Sequence, residues 1–137
     1  MIEFNYETAF QLEDENRLEN WIENVTSNNG FEVGEINYIF CDDEYLLKLN
    51  VEFLKHYTLT DVISFDNSLG KLINGDIFIS VERVTENSKE YNVTFDDELQ
   101  RVMIHGVLHY MGYKDKSDDE IKKMRSAENS ALLLLNN

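Results

Sequence analysis

Hydrophobic and polar positions change period several times along this chain. Ile2, Phe4 and Tyr6 alternate with polar residues, the period of a half-buried strand. Leu18, Trp21, Ile22 and Val25 then recur at helical spacing, and Asn29-Gly30 supplies a stop. Ile36, Tyr38 and Phe40 alternate again and predict a second strand. Asp42 or Asp43 is placed to cap a helix carrying Leu46, Leu47, Leu49 and Leu54. Val62-Ile63-Ser64-Phe65 is a short β-branched and aromatic run, a third strand. The stretch from Asn67 to Gly75 reads as a turn-rich connection, and Ile77-Phe78-Ile79 as a fourth strand. The last two strands are expected to pair as an antiparallel hairpin with a long loop. Beyond Ser80 the pattern is helical. Thr94 with Asp97 and Ser117 with Glu120 are capping signatures, each ahead of an apolar run at helical spacing. This order predicts an α/β (α+β) fold, a small mixed four-stranded sheet with packed helices.

Composition narrows the class. At 137 residues the chain has the size of one domain, spanning 1–137. An apolar fraction of 42% is enough for a real core without disulfides. The single cysteine, Cys41, has no partner, offers no zinc-ribbon pair and is expected to be buried. No secretory leader and no bilayer-spanning stretch is visible, so a reducing, cytoplasmic setting without a membrane is expected. The net charge of −15 argues against a general affinity for nucleic acid. A nucleic-acid function here must rest on a local site, a metal or a basic partner. The acidic runs read as solvated surface and helix N-termini. Lys122, Lys123 and Arg125 form the densest basic patch.

The chemistry-bearing segment runs from His105 to Asp115. His105 and His109 are four apart, so on a helix they stand one turn above each other and can face one ion. Gly112 can end that helix and let the chain turn back, bringing Asp115 to the same ion as a third ligand. Three protein ligands with an open fourth position is the arrangement of catalytic zinc. Imidazole also suits copper, iron and nickel, and zinc is the default for a helical histidine pair. The helix that carries the pair is expected near the centre of the domain. His-Glu-x-x-His metalloproteases share the spacing, but their glutamate, the base of peptide hydrolysis, is here Gly106.

With these residues in view, the chain resembles the YbeY family of single-strand-specific endoribonucleases and rRNA maturation factors. The resemblance rests on His105-Gly106-Val107-Leu108-His109 followed by Gly112-Tyr113-Lys114-Asp115. It extends to Leu49-Asn50 with Thr60-Asp61-Val62-Ile63-Ser64-Phe65, to Gly75-Asp76-Ile77-Phe78-Ile79-Ser80, and to Met124 and Glu128 in the last helix. These blocks keep their order from about residue 36 to the end. The resemblance implies metal-dependent cleavage of single-stranded RNA, with roles in small-subunit rRNA processing and ribosome quality control. It implies one Zn2+ per chain held by His105, His109 and Asp115.

Two departures stand out. The family's usual third ligand is a histidine, and here it is Asp115, whose charge makes the ion a weaker Lewis acid. The family's arginine four residues after the Asn is here Leu54, with Lys55 and His56 as neighbouring cations. Asp61 and Asp76 are candidate general bases, Asp61 being preferred. Tyr110, Met111 and Tyr113 are either base-stacking or core residues. A rival reading is a ribosome assembly factor with a structural metal, whose acidic surface meets basic ribosomal proteins.

Overall fold

In the computed structural model, residues 1–136 are described. Strand β1 (Ile2–Tyr6) leads through helix α1 (Glu15–Asn28) to β2 (Glu32–Cys41), then through α2 (Asp43–Leu54) to the hairpin β3 (Val62–Asp66) and β4 (Leu72–Ser80). Helices α3 (Val81–Glu90), α4 (Phe95–Tyr110) and α5 (Asp118–Asn136) follow. The sheet order is β1-β2-β4-β3. β1, β2 and β4 run parallel, and β3 pairs antiparallel with β4, Ile63 opposite Phe78. The sheet is therefore mixed, with four strands, and the hairpin is the one the sequence pattern predicts.

One boundary differs. β4 starts at Leu72, inside the stretch read as a turn, and the connection shrinks to 67–71. Asn74 and Gly75 look like turn residues but serve strand pairing. The Asn74 side-chain oxygen accepts from the Glu35 amide, and the Ser68 hydroxyl accepts from the Asn74 amide.

Alternation along the strands sorts side chains to two faces. Ile36, Tyr38, Phe40, Ile73, Ile77 and Ile79 meet α1, α4 and α5 in the main core. Cys41, Ile63 and Leu46 form a smaller core with Leu49, Phe65 and Phe78 under α2 on the other face. Leu54, read as part of that apolar stripe, is exposed at the end of α2.

The cap signals work as the sequence suggests. The Thr94 hydroxyl accepts from the Asp97 amide, and Ser117 and Glu120 satisfy each other's backbone amides reciprocally. Asp42, not Asp43, caps α2. Helix α4 is buried along most of its length. It is fastened by the buried Tyr38 hydroxyl donating to the Met103 carbonyl at 2.9 Å. Helix α5 is fastened to α1 by the Trp21 indole N–H donating to the Ala131 carbonyl at 2.7 Å. These two anchors set how α4 and α5 face each other, and the candidate site lies between them. No helix among the described residues is long and apolar enough to cross a membrane.

Candidate metal centre

Helix α4 places His105 and His109 on one face, and its C-terminal turn delivers the third group. Gly112 adopts φ +98°, a left-handed conformation that suits glycine. Its amide donates to the His109 carbonyl, and the Tyr113 amide to the Leu108 carbonyl. That closing pattern is a Schellman turn. It folds the chain back so that the Tyr113 carbonyl lies 3.0 Å from His109 Nδ1. Two residues further on, Asp115 reaches the imidazoles.

Three ligand atoms converge. His105 Nε2 and His109 Nε2 are 3.0 Å apart, and Asp115 Oδ2 is 3.3 Å and 3.2 Å from them. Three vertices of a tetrahedron around an ion at about 2.0 Å lie about 3.3 Å apart, so the triangle has the size a zinc-like ion requires. The donor chemistry agrees. A carbonyl only accepts, so His109 Nδ1 carries the proton toward Tyr113. His105 Nδ1 lies 2.7 Å from Glu128 Oε2 and donates to that carboxylate. In the neutral rings both Nε2 atoms are then lone pairs. Two lone pairs and a carboxylate oxygen point into one small space, an arrangement that calls for a cation. The residues present fit a metal ion, and His105, His109 and Asp115 are the group able to hold it.

Glu128 on α5 is 4% exposed. Arg101 donates to its other oxygen at 2.8 Å and to the Asn129 side chain at 2.8 Å. A carboxylate behind a ligating imidazole fixes its tautomer and raises its basicity. Burial pushes the Glu128 carboxyl up, but the bonds from His105 and Arg101 outweigh it and hold it below the usual range. Burial likewise opposes charge on His105, and Glu128, Asp115 and Asp61 outweigh that and raise its pKa.

Gly106 explains the missing protease glutamate. A Cβ there would lie 2.9 Å from the Ile77 side chain, because α4 presses onto β4 at this residue. The position faces the sheet and has no room for a catalytic side chain.

A cleft beside the centre is lined by Asp61, Glu98, Arg101, His105, Arg125 and Glu128, with Tyr91 at its edge. Asp61 therefore lies next to the centre. Burial pushes its carboxyl up against the pull of backbone amides, His105 and Asn87. Asp76 does not join it, since its carboxylate accepts from Asn37 on the other face of β4. Lys55 and His56 are exposed beyond α2 and do not line the cleft; the guanidiniums there are Arg101 and Arg125. Tyr110 and Met111 are core, the Tyr110 hydroxyl being shared between the Phe65 and Asp76 carbonyls. Tyr113 lines a separate groove with Lys123. Sequence spacing gave no sign of the Arg101–Glu128–His105 chain, because its members lie on two helices.

Comparison with known proteins places the chain in a family. The family model described as Endoribonuclease YbeY matches residues 2–136. A Flavobacterium johnsoniae protein named Endoribonuclease YbeY is 56% identical over 134 residues, covering 98% of this chain and 96% of that protein. A Flavobacterium psychrophilum protein of the same name is 58% identical over 134 residues, with the same coverage. The solution structure of TM1509 from Thermotoga maritima superposes with a TM-score of 0.75 at 29% identity, covering 98% of this chain and 89% of that one. A match over almost the whole chain, to a family model and to relatives well above half identical, shows that the chain belongs to the YbeY family.

Proposed function

We propose that this chain is a zinc-dependent endoribonuclease that cuts single-stranded RNA during small-subunit rRNA maturation, in the cytoplasm, acting as one domain. The observation that carries the proposal is the convergence of three acceptor atoms at 3.0–3.3 Å beside an acid- and arginine-lined cleft. His105, His109 and Asp115 are the ligands in this reading. Relatives up to 58% identical that carry the name Endoribonuclease YbeY support RNA as the substrate.

Bound at this site, zinc supplies Lewis acidity to a phosphoryl oxygen and makes water easier to deprotonate. The protein supplies the rest. Glu128 holds His105 with Nε2 free, and the Tyr113 carbonyl does the same for His109. Arg101 balances the Glu128 charge, so the imidazole keeps its proton on Nδ1. Asp61 is the group placed to take a proton from the attacking oxygen, and burial makes it a stronger base than an exposed carboxylate. Arg125, with its side chain 59% exposed at the cleft, meets a phosphate of the RNA. Local cations of this kind answer the objection raised by the net charge of −15. The acidic remainder of the surface suits contact with basic ribosomal proteins.

Incubation with labelled single-stranded and duplex RNA tests the reading. The zinc-loaded chain is expected to cut the single strand, and His109→Ala to lose at least about 100-fold in rate while staying folded. Equal cleavage by the metal-free His109→Ala chain would overturn it. Binding to a ribosomal protein without any cleavage would favour an assembly role instead.

A further inference from the structure

The cleft beside the metal centre contains a group that the cleavage chemistry does not use. Glu98, on the first turns of α4, is 6% exposed. It lines the cleft. No hydrogen bond from a described residue reaches it; the charges around it are Asp61, Arg101, Arg125 and Glu128. Arg101 is already committed to Glu128 and Asn129. Burial, reinforced by Asp61, pushes the Glu98 carboxyl up, and the two arginines hold it back. The carboxylate has no donor among the described residues, so a ligand that brings an N–H into the cleft can supply one.

Position separates Glu98 from the bond being cut. It lies seven residues before His105 on the same helix, about 10 Å along the axis. That is too far to exchange a proton at the metal centre, and suitable for holding the base of a neighbouring nucleotide. The cleft has a volume of about 180 Å³, room for one flat heterocycle. Tyr91 lines it and is 58% exposed, which leaves a ring available for stacking. Arg125 is at the rim, where the sugar-phosphate would remain in solvent. The interior carboxylates, Asp61 and Glu98, repel a phosphate and admit a neutral base.

We propose that this cleft is a nucleobase subsite in which Glu98 accepts a hydrogen bond from an exocyclic amino group, so that the chain favours cytosine over uracil beside the metal centre. The substrate class rests on the nuclease reading above, and the base preference is additional to it. A carboxylate accepts from cytosine N4, whereas uracil presents its O4 carbonyl oxygen at the same place and is repelled. Asp61 is shared between the two functions: it borders the metal centre and narrows the subsite.

Binding measured without cleavage tests this directly. Fluorescence anisotropy at pH 7.5 in chelator compares labelled 12-nucleotide strands of cytidine and of uridine, using the full chain. Wild type is expected to bind the cytidine strand on the order of tenfold tighter. Glu98→Gln, nearly isosteric and able to donate as well as accept, is expected to bring the ratio within about twofold. Tyr91→Leu is expected to weaken both strands alike and keep the ratio. Equal binding of the two strands by wild type, no binding of either, or a ratio unchanged in Glu98→Gln would overturn the subsite. Cleavage by the metal-loaded chain is scored separately. Cleavage without base preference in binding retains the nuclease and removes the subsite; base preference without cleavage does the reverse.

Discussion

His105 is held on both sides. Its Nδ1 meets Glu128 at 2.7 Å, and its Nε2 belongs to the acceptor triangle. Replacing the carboxylate keeps the fold but frees the ring, so Glu128→Gln should bind zinc about 10–100-fold more weakly, as measured by competition with a chelating dye. Unchanged affinity would remove Glu128 from the site. The same pair sets a pH dependence in the metal-free protein. The His105 pKa is raised on folding, so its contribution to stability is complete below about 6.5 and is lost as pH rises through the higher folded value. The Glu128 pKa is lowered, so its contribution is present above about 4.3 and is lost as pH falls through the folded value. Urea midpoints across pH should therefore fall off on both sides for wild type and be flatter for Glu128→Gln. Of these residues, spacing exposes only the ligands, and Glu128 enters through the family resemblance alone, without a role. His105 and His109 share one helical turn and Asp115 follows a glycine stop, all within eleven positions. Glu128 comes from the next helix, and its partnership with Arg101 exists only once α4 and α5 pack. The spacing rules that find a histidine pair do not reach it.

At the scale of elements, the centre depends on how α4 lies on the hairpin. A Cβ at Gly75 in β4 would fall 2.4 Å from the Phe65 carbonyl and 2.4 Å from the Tyr110 hydroxyl. Backbone cannot yield as a side-chain end can. Gly75→Ala should cost about 3 kcal/mol in urea unfolding, and Tyr110→Phe about 1–2 kcal/mol by removing the hydroxyl hydrogen bond that ties α4 to the hairpin. A Gly75→Ala chain as stable as wild type would mean the hairpin and α4 are not in this register. The pattern of elements was legible where periodicity and caps agree, as at Thr94–Asp97 and Ser117–Glu120. It was not legible at the start of β4, where Asn74 and Gly75 have turn chemistry but are used for cross-strand bonding and close approach. The reversal of Leu54 from core to surface has a similar origin. It ends α2, just before Lys55 turns left-handed at φ 58°, where the helical stripe no longer faces the sheet.

For the molecule as a whole, a metal held by His105, His109 and Asp115 would join the turn after α4 to α4 itself, while Glu128 joins α5 to the same point. An ion that binds only the folded chain adds stability by mass action, about 2.7 kcal/mol at a hundredfold excess over Kd. In a domain of this size that raises Tm by roughly 5–10 °C, and a scan with and without chelator measures it. No shift would mean that the ligand atoms gather without holding an ion. The strongly negative surface adds a further expectation. RNA affinity should fall steeply with salt only to the extent that Arg125 and its neighbours contact phosphate, so the slope of log affinity against log salt should be shallow, near that of one or two contacts.

The most direct test is the metal content of the purified chain by elemental analysis, without chelator or added metal, with His109→Ala and Asp115→Ala measured alongside. Close to one zinc per wild-type chain, lost in both variants, is the predicted result. A wild-type chain that carries no metal and gains no stability from added zinc would contradict it. Zinc retained by Asp115→Ala would remove the aspartate from the ligand set.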